Sequence, residues 1–256
     1  MRLHLDENIE ENIIQKIHTA YEDYTIHKKP LEYILWHVDF FNVPFYVNEH
    51  TLIPRPETEY MITAVSEYVA SLWKEFNNIL LDIGTGCGVL GISVLLQNPD
   101  FYRHIFFSDI SSEALIVAKK NYDTLITSNW YDTRFIQSDL VAFIEHYLEI
   151  IKSWPITLVA NLPYIPDETF DNNALENVQK REPRLAFVGG DDGLDLYRKM
   201  FEQIKSALSW VTNLVMFLEM MTRQVDILRE EFGDRLEFEE VKTFHFNIKI
   251  VKAWIK

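Results

Sequence analysis

Asp82-Ile83-Gly84-Thr85-Gly86-Cys87-Gly88 places three of the chain's eight glycines within seven residues. The apolar run Ile79 to Ile83 precedes it and Val89 to Gln97 follows, the setting of a strand, a tight turn and a helix. Glycine lets a backbone turn tightly there and lets a ligand approach closely. Two cofactor classes compete for such a turn. Gly86, Gly88 and Gly91 satisfy the dinucleotide spacing G-x-G-x-x-G, with Asp109 18 residues on to hold a ribose. Asp82 argues the other way, because a carboxylate closing the strand disfavours a pyrophosphate and suits a cation. The sulfonium and ammonium of S-adenosylmethionine are such cations. In that case Gly84 to Gly88 pack against the methionine part, Asp109 accepts from both ribose hydroxyls, and Asp139 receives the adenine amino group.

A second group, Asn161-Leu162-Pro163-Tyr164, ends another apolar run. A planar amide or amine presents two N–H donors and a poorly nucleophilic lone pair. A site that methylates it needs two acceptors and a flat wall. The Asn161 side-chain oxygen and the Leu162 carbonyl can accept, Pro163 fixes the turn, and Tyr164 offers the wall.

The elements that must hold these groups follow from periodicity. Strands are expected at Ile79 to Ile83, Ile105 to Ser108, Arg134 to Gln137, Thr157 to Ala160 and Leu214 to Leu218, with extended runs at Leu236 to Val241 and Phe246 to Ile255. Helices are expected at Pro56 to Lys74, Val89 to Gln97, Ser112 to Tyr122, Val141 to Ile150, Leu194 to Leu208 and Arg223 to Phe232, with a loop from Asn161 to Gly193. This alternation specifies a doubly wound α/β fold with a parallel sheet covered on both faces, whose ligands sit at the strands' carboxyl ends. The first 50 or so residues read as a small accessory unit. They comprise an amphipathic helix from Asp6 to Tyr24, a short helix from Leu31 to His37, and a hairpin or extended pair from Phe40 to Val47.

Composition narrows the function. With 24 Lys+Arg against 39 Asp+Glu the formal charge is −15, which repels phosphate backbones and anionic membranes. The single cysteine, Cys87, permits no intrachain disulfide and fits a reducing cytoplasm. The N-terminus lacks the basic start and apolar core of a signal peptide, and no 18-residue apolar run occurs, so neither export nor a membrane span is expected. The eight histidines show no metal-binding spacing, and no metal is expected.

Together with Thr51-Leu52-Ile53-Pro54-Arg55-Pro56-Glu57-Thr58-Glu59 and Glu182-Pro183-Arg184-Leu185-Ala186-Phe187-Val188-Gly189-Gly190-Asp191-Asp192-Gly193-Leu194-Asp195-Leu196-Tyr197, these motifs make the chain resemble the protein-(glutamine-N5) methyltransferases of peptide chain release factors, the HemK/PrmC family. The resemblance runs from about Pro30 to Gln224. It implies a small helical N-terminal domain, residues 1–50, that helps dock the release factor, and a seven-stranded methyltransferase domain, residues 51–256. It carries cofactor roles onto Gly84 to Gly88, Asp109, Leu140 beside Asp139, and Asn161, and substrate and catalytic roles onto Asn161 to Tyr164. The protein is then expected to act as a cytoplasmic monomer on a protein substrate, without binding nucleic acid or membrane directly.

The chain departs from the family at several points. Leu162 replaces the first proline of Asn-Pro-Pro-Tyr, so the carbonyl survives with less rigidity. Trp36 and Trp210 stand where the family has glycine. With glycine depleted overall, they suggest UGA codons that the source reads as glycine, with ordinary drift as the alternative. The late acidic-glycine-basic segment is hard to find near Thr243 to Asn247. Two other functions remain open: methylation of an exocyclic nucleobase amine, and a non-catalytic cofactor-binding scaffold. Glu219, after an apolar strand, is placed either to shape the pocket or to cap.

Overall fold

The computed structural model describes residues 7–72, 78–128, 130–173, 181–207, 213–243 and 248–256. The chain opens with α1 (Glu7–Thr25) and α2 (Leu31–Leu35), then a hairpin of β1 (Val38–Phe40) and β2 (Val43–Phe45). After a 3-10 turn at Pro56–Thr58 come α3 (Glu59–Ser71), β3 (Asn78–Ile83), α4 (Val89–Gln97), β4 (Tyr102–Asp109), α5 (Ser112–Leu125), β5 (Asp132–Gln137), α6 (Leu148–Ile151) and β6 (Ile156–Ala160). The second half holds α7 (Asp167–Asn173), α8 (Asp195–Ala207), β7 (Leu214–Met221), α9 (Thr222–Phe232), β8 (Leu236–Thr243) and β9 (Ile248–Ile255).

β3 to β9 form one seven-stranded sheet in the order β5-β4-β3-β6-β7-β9-β8. It is parallel from β5 to β7, and β9 runs antiparallel between β7 and β8. The doubly wound sheet expected from the alternation is therefore present, with the seven strands that the resemblance implies. The strand order reverses at β3 and β6, which lie side by side.

Strand alternation divides the core into two layers. Ile79, Leu81 and Ile83 of β3 face the layer that holds α8 and α9 residues, whereas Leu80 faces Met61, Ile62 and Val65 of α3. The same period on β7 sends Met216, Leu218 and Met220 to the first layer and Phe217 to the second. Asp82 and Glu219, one step from these residues, therefore turn toward α4 and the start of α3. Both are buried.

The hairpin is tied into the second layer. Phe40 and Phe45 are buried there, and the Asn121 side chain bridges Tyr46 N, Tyr46 O and Cys87 O. In contrast, α1 leaves its apolar face exposed, with Ile14 and Tyr21 66% and 65% accessible. Three local expectations need correction. The helix expected at Val141 to Ile150 is a 3-10 run, Ala142–Tyr147, followed by the single turn of α6, because Phe143 and Ile144 are both drawn into the core. The helix expected from Pro56 starts as a 3-10 turn, and α3 begins only at Glu59. The expected loop from Asn161 to Gly193 contains α7, started by Asp167 and Glu168.

Trp36 caps α2 in the left-handed region, at φ 57° and ψ 33°, while His37 N donates to Glu32 O at 2.9 Å. That is the helix terminus at which glycine is favoured. The indole lies on the surface, stacked on Tyr46 at 5.7 Å with Lys29 over its ring. Trp210 lies outside the described residues. A side chain held in the left-handed region costs roughly 1–3 kcal/mol, and an aromatic stack returns about 0.5–1.5 kcal/mol. Trp36→Gly should therefore raise the melting temperature by about 2 °C in a thermal unfolding experiment. A fall would identify tryptophan as the native residue.

Candidate active site

Ile83 of β3 pairs with Ala160 of β6, so the residues that follow, Gly84 and Asn161, emerge side by side where the strand order reverses. Helices leave the two strands in opposite directions there, which opens a crevice. A cavity of about 480 Å³ occupies it. Of the residues singled out in the sequence, Gly84, Thr85, Gly86, Cys87, Asp109, Asp139, Leu140, Asn161, Leu162 and Pro163 line this cavity. Asp82, Gly88 and Tyr164 do not.

The glycine loop is held from below. Asp82 Oδ2 accepts from Thr85 Oγ1 at 2.6 Å and from Gly91 N at 2.9 Å, while Oδ1 is buried without a hydrogen-bond partner. Asp82 thus props the loop and does not face the cavity, because β3's alternation points it at α4. Burial pushes its carboxyl up to about 7, with the neighbouring charge of Asp109 adding to the shift. Gly91 completes the dinucleotide spacing for a packing reason: a Cβ there would meet Asp82 Oδ2 at 2.8 Å. Gly88 likewise lets α4 approach Ala118 of α5. The motif is satisfied without any dinucleotide.

Gly84 and Gly86 serve the cavity. Both have positive φ, 66° and 55°. A Cβ on Gly84 would press within 2.9 Å of Leu162, whereas one on Gly86 would enter open space. Gly86 N donates to Asp109 Oδ2 at 2.8 Å and Ser111 N to Oδ1 at 2.9 Å. Each Asp109 oxygen keeps a lone pair for a further donor. Burial raises this carboxyl too, against three backbone donors that lower it. Farther along, Asp139 pairs with Lys199, and Leu140 is held at φ 56° with its carbonyl accepting from Ser108 Oγ at 2.9 Å.

At the other strand end, Asn161 Nδ2 donates to Thr58 Oγ1 at 3.1 Å, and Thr58 Oγ1 donates to Glu219 Oε2 at 2.7 Å. The Tyr164 hydroxyl donates to Glu219 Oε1 at 3.1 Å. Tyr164 is therefore a strut behind Asn161 and not the cavity wall, because Glu219 draws its hydroxyl inward. Desolvation first and Glu219 second push the Tyr164 phenol upward. Burial raises the Glu219 carboxyl to about 7; Glu57 adds to this, and the hydrogen bonds oppose it. Leu162 compensates for its missing proline in two ways. Its N–H donates to the Tyr197 hydroxyl at 3.3 Å, and its side chain is buried under the glycine loop.

The two flanking motifs form the roof. Glu182 accepts from Ile53 N at 2.9 Å and pairs with Arg55 at 2.7 Å, fastening the 51–59 segment to the 182–186 turn above the cavity. Arg55 lines the cavity with its charge already committed to Glu182. Below, Gln224 Nε2 donates to Tyr164 O at 2.7 Å and Asp192 O at 2.9 Å, so the Gly189–Gly193 stretch supports the Asn161 segment without entering the cavity. Sequence reasoning missed Thr58, Glu182 and Ser108. The available signals were their places within or beside the motifs and strand ends. Among the described residues no cluster of His, Cys, Asp and Glu could hold a metal ion, and no helix is long and apolar enough to cross a membrane.

S-adenosylmethionine fits this cavity better than a dinucleotide. Asp109 lines it, held by backbone N–H groups, Asp139 is paired with Lys199, Arg55, the arginine among its described lining residues, is paired with Glu182, and the space above Gly86 is open. Such a wall repels a pyrophosphate and accommodates a cation.

Asp82 and Glu219 also make stability depend on pH. Both carboxyls bind a proton more readily folded than unfolded, since about 7 lies above their ordinary values near 4. Their contribution is full below about pH 4 and is lost as pH rises through about 7. Urea unfolding should therefore give a falling contribution between pH 5 and 8, and Asp82→Asn should flatten that slope. An unchanged slope would mean Asp82 ionises at its ordinary value.

Comparison with known proteins agrees with this geometry. Residues 64–162 match the methyltransferase small domain. The N-terminal domain of human METTL16, solved with SAH, shares the fold at a TM-score of 0.54 and 14% identity, covering 82% of this chain and 74% of that one. The chain is 35% identical to a release factor glutamine methyltransferase of Bacillus anthracis over 78% of its own length and 68% of that protein's. It is 31% identical to one from Streptococcus pneumoniae over 90% and 75%. With cavity, loop and Asn161 segment assembled at one strand reversal, and relatives matched at that identity and coverage, this chain belongs to the release factor glutamine methyltransferase family.

Proposed function

We propose that the protein transfers a methyl group from S-adenosylmethionine to the side-chain amide nitrogen of the glutamine in the Gly-Gly-Gln motif of peptide chain release factors. The observation that carries this reading is the Asn161 amide. Its nitrogen end is engaged by Thr58, which leaves Oδ1 as the end available to a donor, and Leu162, whose carbonyl would be the second acceptor, lines the same cavity. Two acceptors side by side match the two N–H groups of a primary amide.

S-adenosylmethionine, when bound, supplies an electrophilic methyl on a sulfonium sulfur. Asp109 is placed to accept from ribose hydroxyls, Asp139 and Leu140 to meet the adenine, and the Gly84–Gly88 turn to pass the methionine part without side-chain obstruction. Asn161 and Leu162 hold the glutamine nitrogen by both hydrogens, so its lone pair is turned outward from them. As the nitrogen gains positive charge, the same oxygens stabilise it, and orientation supplies most of the remaining rate. Pro163 fixes the backbone between the acceptors and the Tyr164 strut.

Residues 1–50 would act as the accessory unit that docks the protein substrate, a role supported by the exposed apolar face of α1. A cytoplasmic location follows from the substrate proposed, and the charge of −15 disfavours direct binding to nucleic acid.

Two measurements test the assignment. Asp109→Ala should weaken binding of S-adenosylhomocysteine by roughly 1.5–3 kcal/mol in calorimetry, the scale of hydrogen bonds to a charged group. NAD should not bind, and tight NAD binding without S-adenosylhomocysteine binding would overturn the cofactor. Asn161→Ala should lower kcat for release factor methylation by about 10²-fold with the fold retained. An undiminished rate would remove this segment from the substrate site.

A further inference from the structure

Glu219 lies behind the cavity and Thr58 at its wall, and together they hold the Asn161 side chain. The donors run one way: Asn161 Nδ2 to Thr58 Oγ1, then Thr58 Oγ1 to Glu219 Oε2, with the Asn161 amide also within hydrogen-bonding reach of the carboxylate. An ionised carboxylate only accepts, so it claims the Thr58 proton. The Thr58 oxygen can then only accept from Asn161, which must present its NH₂ inward and its Oδ1 outward. Glu219 is 1% exposed and Thr58 2%, so no water competes for the arrangement. We propose that Glu219, acting through Thr58, is a positioning residue that fixes which end of the Asn161 amide faces the substrate.

This inference rests on the proposed function and adds the device that makes Asn161 an acceptor. A protonated Glu219 could donate to Thr58, which would free the Thr58 hydroxyl to donate to Asn161 Oδ1. The amide could then turn over and present N–H groups to a substrate that also presents N–H groups. Binding of a primary amide in the productive pose would be lost. The groups facing Glu219 are few: Thr58 and Glu57 from the 3-10 turn, Asn161 and Tyr164 after β6, and Tyr197 of α8, whose hydroxyl donates to the Glu219 backbone carbonyl. Burial, with the charge of Glu57 adding to it, raises the carboxyl's proton affinity against the hydrogen bonds that lower it, so ionisation falls in the neutral range. The result is a rate that rises as pH increases through about 7.

The test combines kinetics with a readout independent of turnover. Glu219→Gln should lower kcat for release factor methylation about 10-fold at pH 8 and abolish the rise near neutral pH. Binding of S-adenosylhomocysteine should change less than about 3-fold. Thr58→Val should reproduce the loss at high pH, and Thr58→Ser, which keeps the hydroxyl, should restore the rate. A wild-type rate in Thr58→Val, or a wild-type pH profile in Glu219→Gln, overturns the relay. In parallel, the Asn161 side-chain ¹H–¹⁵N signals, identified by their absence from Asn161→Ala, should move with a midpoint near pH 7 in the wild-type protein and stay fixed in Glu219→Gln. If the wild-type protein leaves release factor unmethylated, the proposed function fails. The resonance titration still decides the relay, and signals that do not titrate defeat it.

Discussion

The parallel pairing of β3 with β6 is the contact on which the rest of the site depends. Because Ile83 lies opposite Ala160, the glycine turn and the Asn161 segment leave the sheet at the same height and on adjacent strands. A slip of one residue in that pairing would turn Asp82 away from Gly91 and present a different side chain at the position of Asn161. Fully buried aliphatic residues on both faces of β3 make such a slip costly, since each would have to be accommodated in the opposite layer.

Around that pairing the chain places polar groups where hydrophobic packing alone would exclude them. Asp82 and Glu219 occupy equivalent situations on two strands: each is a buried carboxylate near a strand end, oriented by strand alternation toward the α3/α4 layer, and each anchors a threonine. Asp82 holds the glycine turn through Thr85 and Gly91, and Glu219 holds the Asn161 segment through Thr58 and Tyr164. The cavity between them is open above Gly86, which brings no side chain into it, while aliphatic residues such as Leu90, Leu140 and Leu162 line much of the rest.

The fold and the cofactor side were legible in the sequence because their signals are local. Strand, glycine turn and helix follow within 19 residues from Ile79 to Gln97, and Asp109 ends the next apolar run. Strand alternation also carries the orientation of Asp82, but the residue that receives it, Gly91, belongs to a helix whose approach depends on tertiary packing. Thr58 and Glu219 meet across 161 positions, and nothing near either predicts the other. Tyr164 follows closely on Asn161 in the sequence, yet its direction is set by that distant carboxylate. The 3-10 run at Ala142–Tyr147 misled for a simpler reason: apolar residues spaced three apart fit both helix types.

The roof contact between Arg55 and Glu182 joins segments 127 residues apart. During synthesis the chain emerges from its N-terminus at about 5–20 residues per second, so the glycine turn and Asp109 leave the ribosome before Glu182 does. The glycine turn and Asp109 precede the segment that covers them, and Glu219 follows later still. A nascent or truncated chain ending before Glu182 would have the turn but no clasp above it, and one ending before Glu219 would leave Thr58 without its acceptor. The order of residues along the chain therefore keeps the reactive half of the pocket unfinished until nearly the whole sheet has been made.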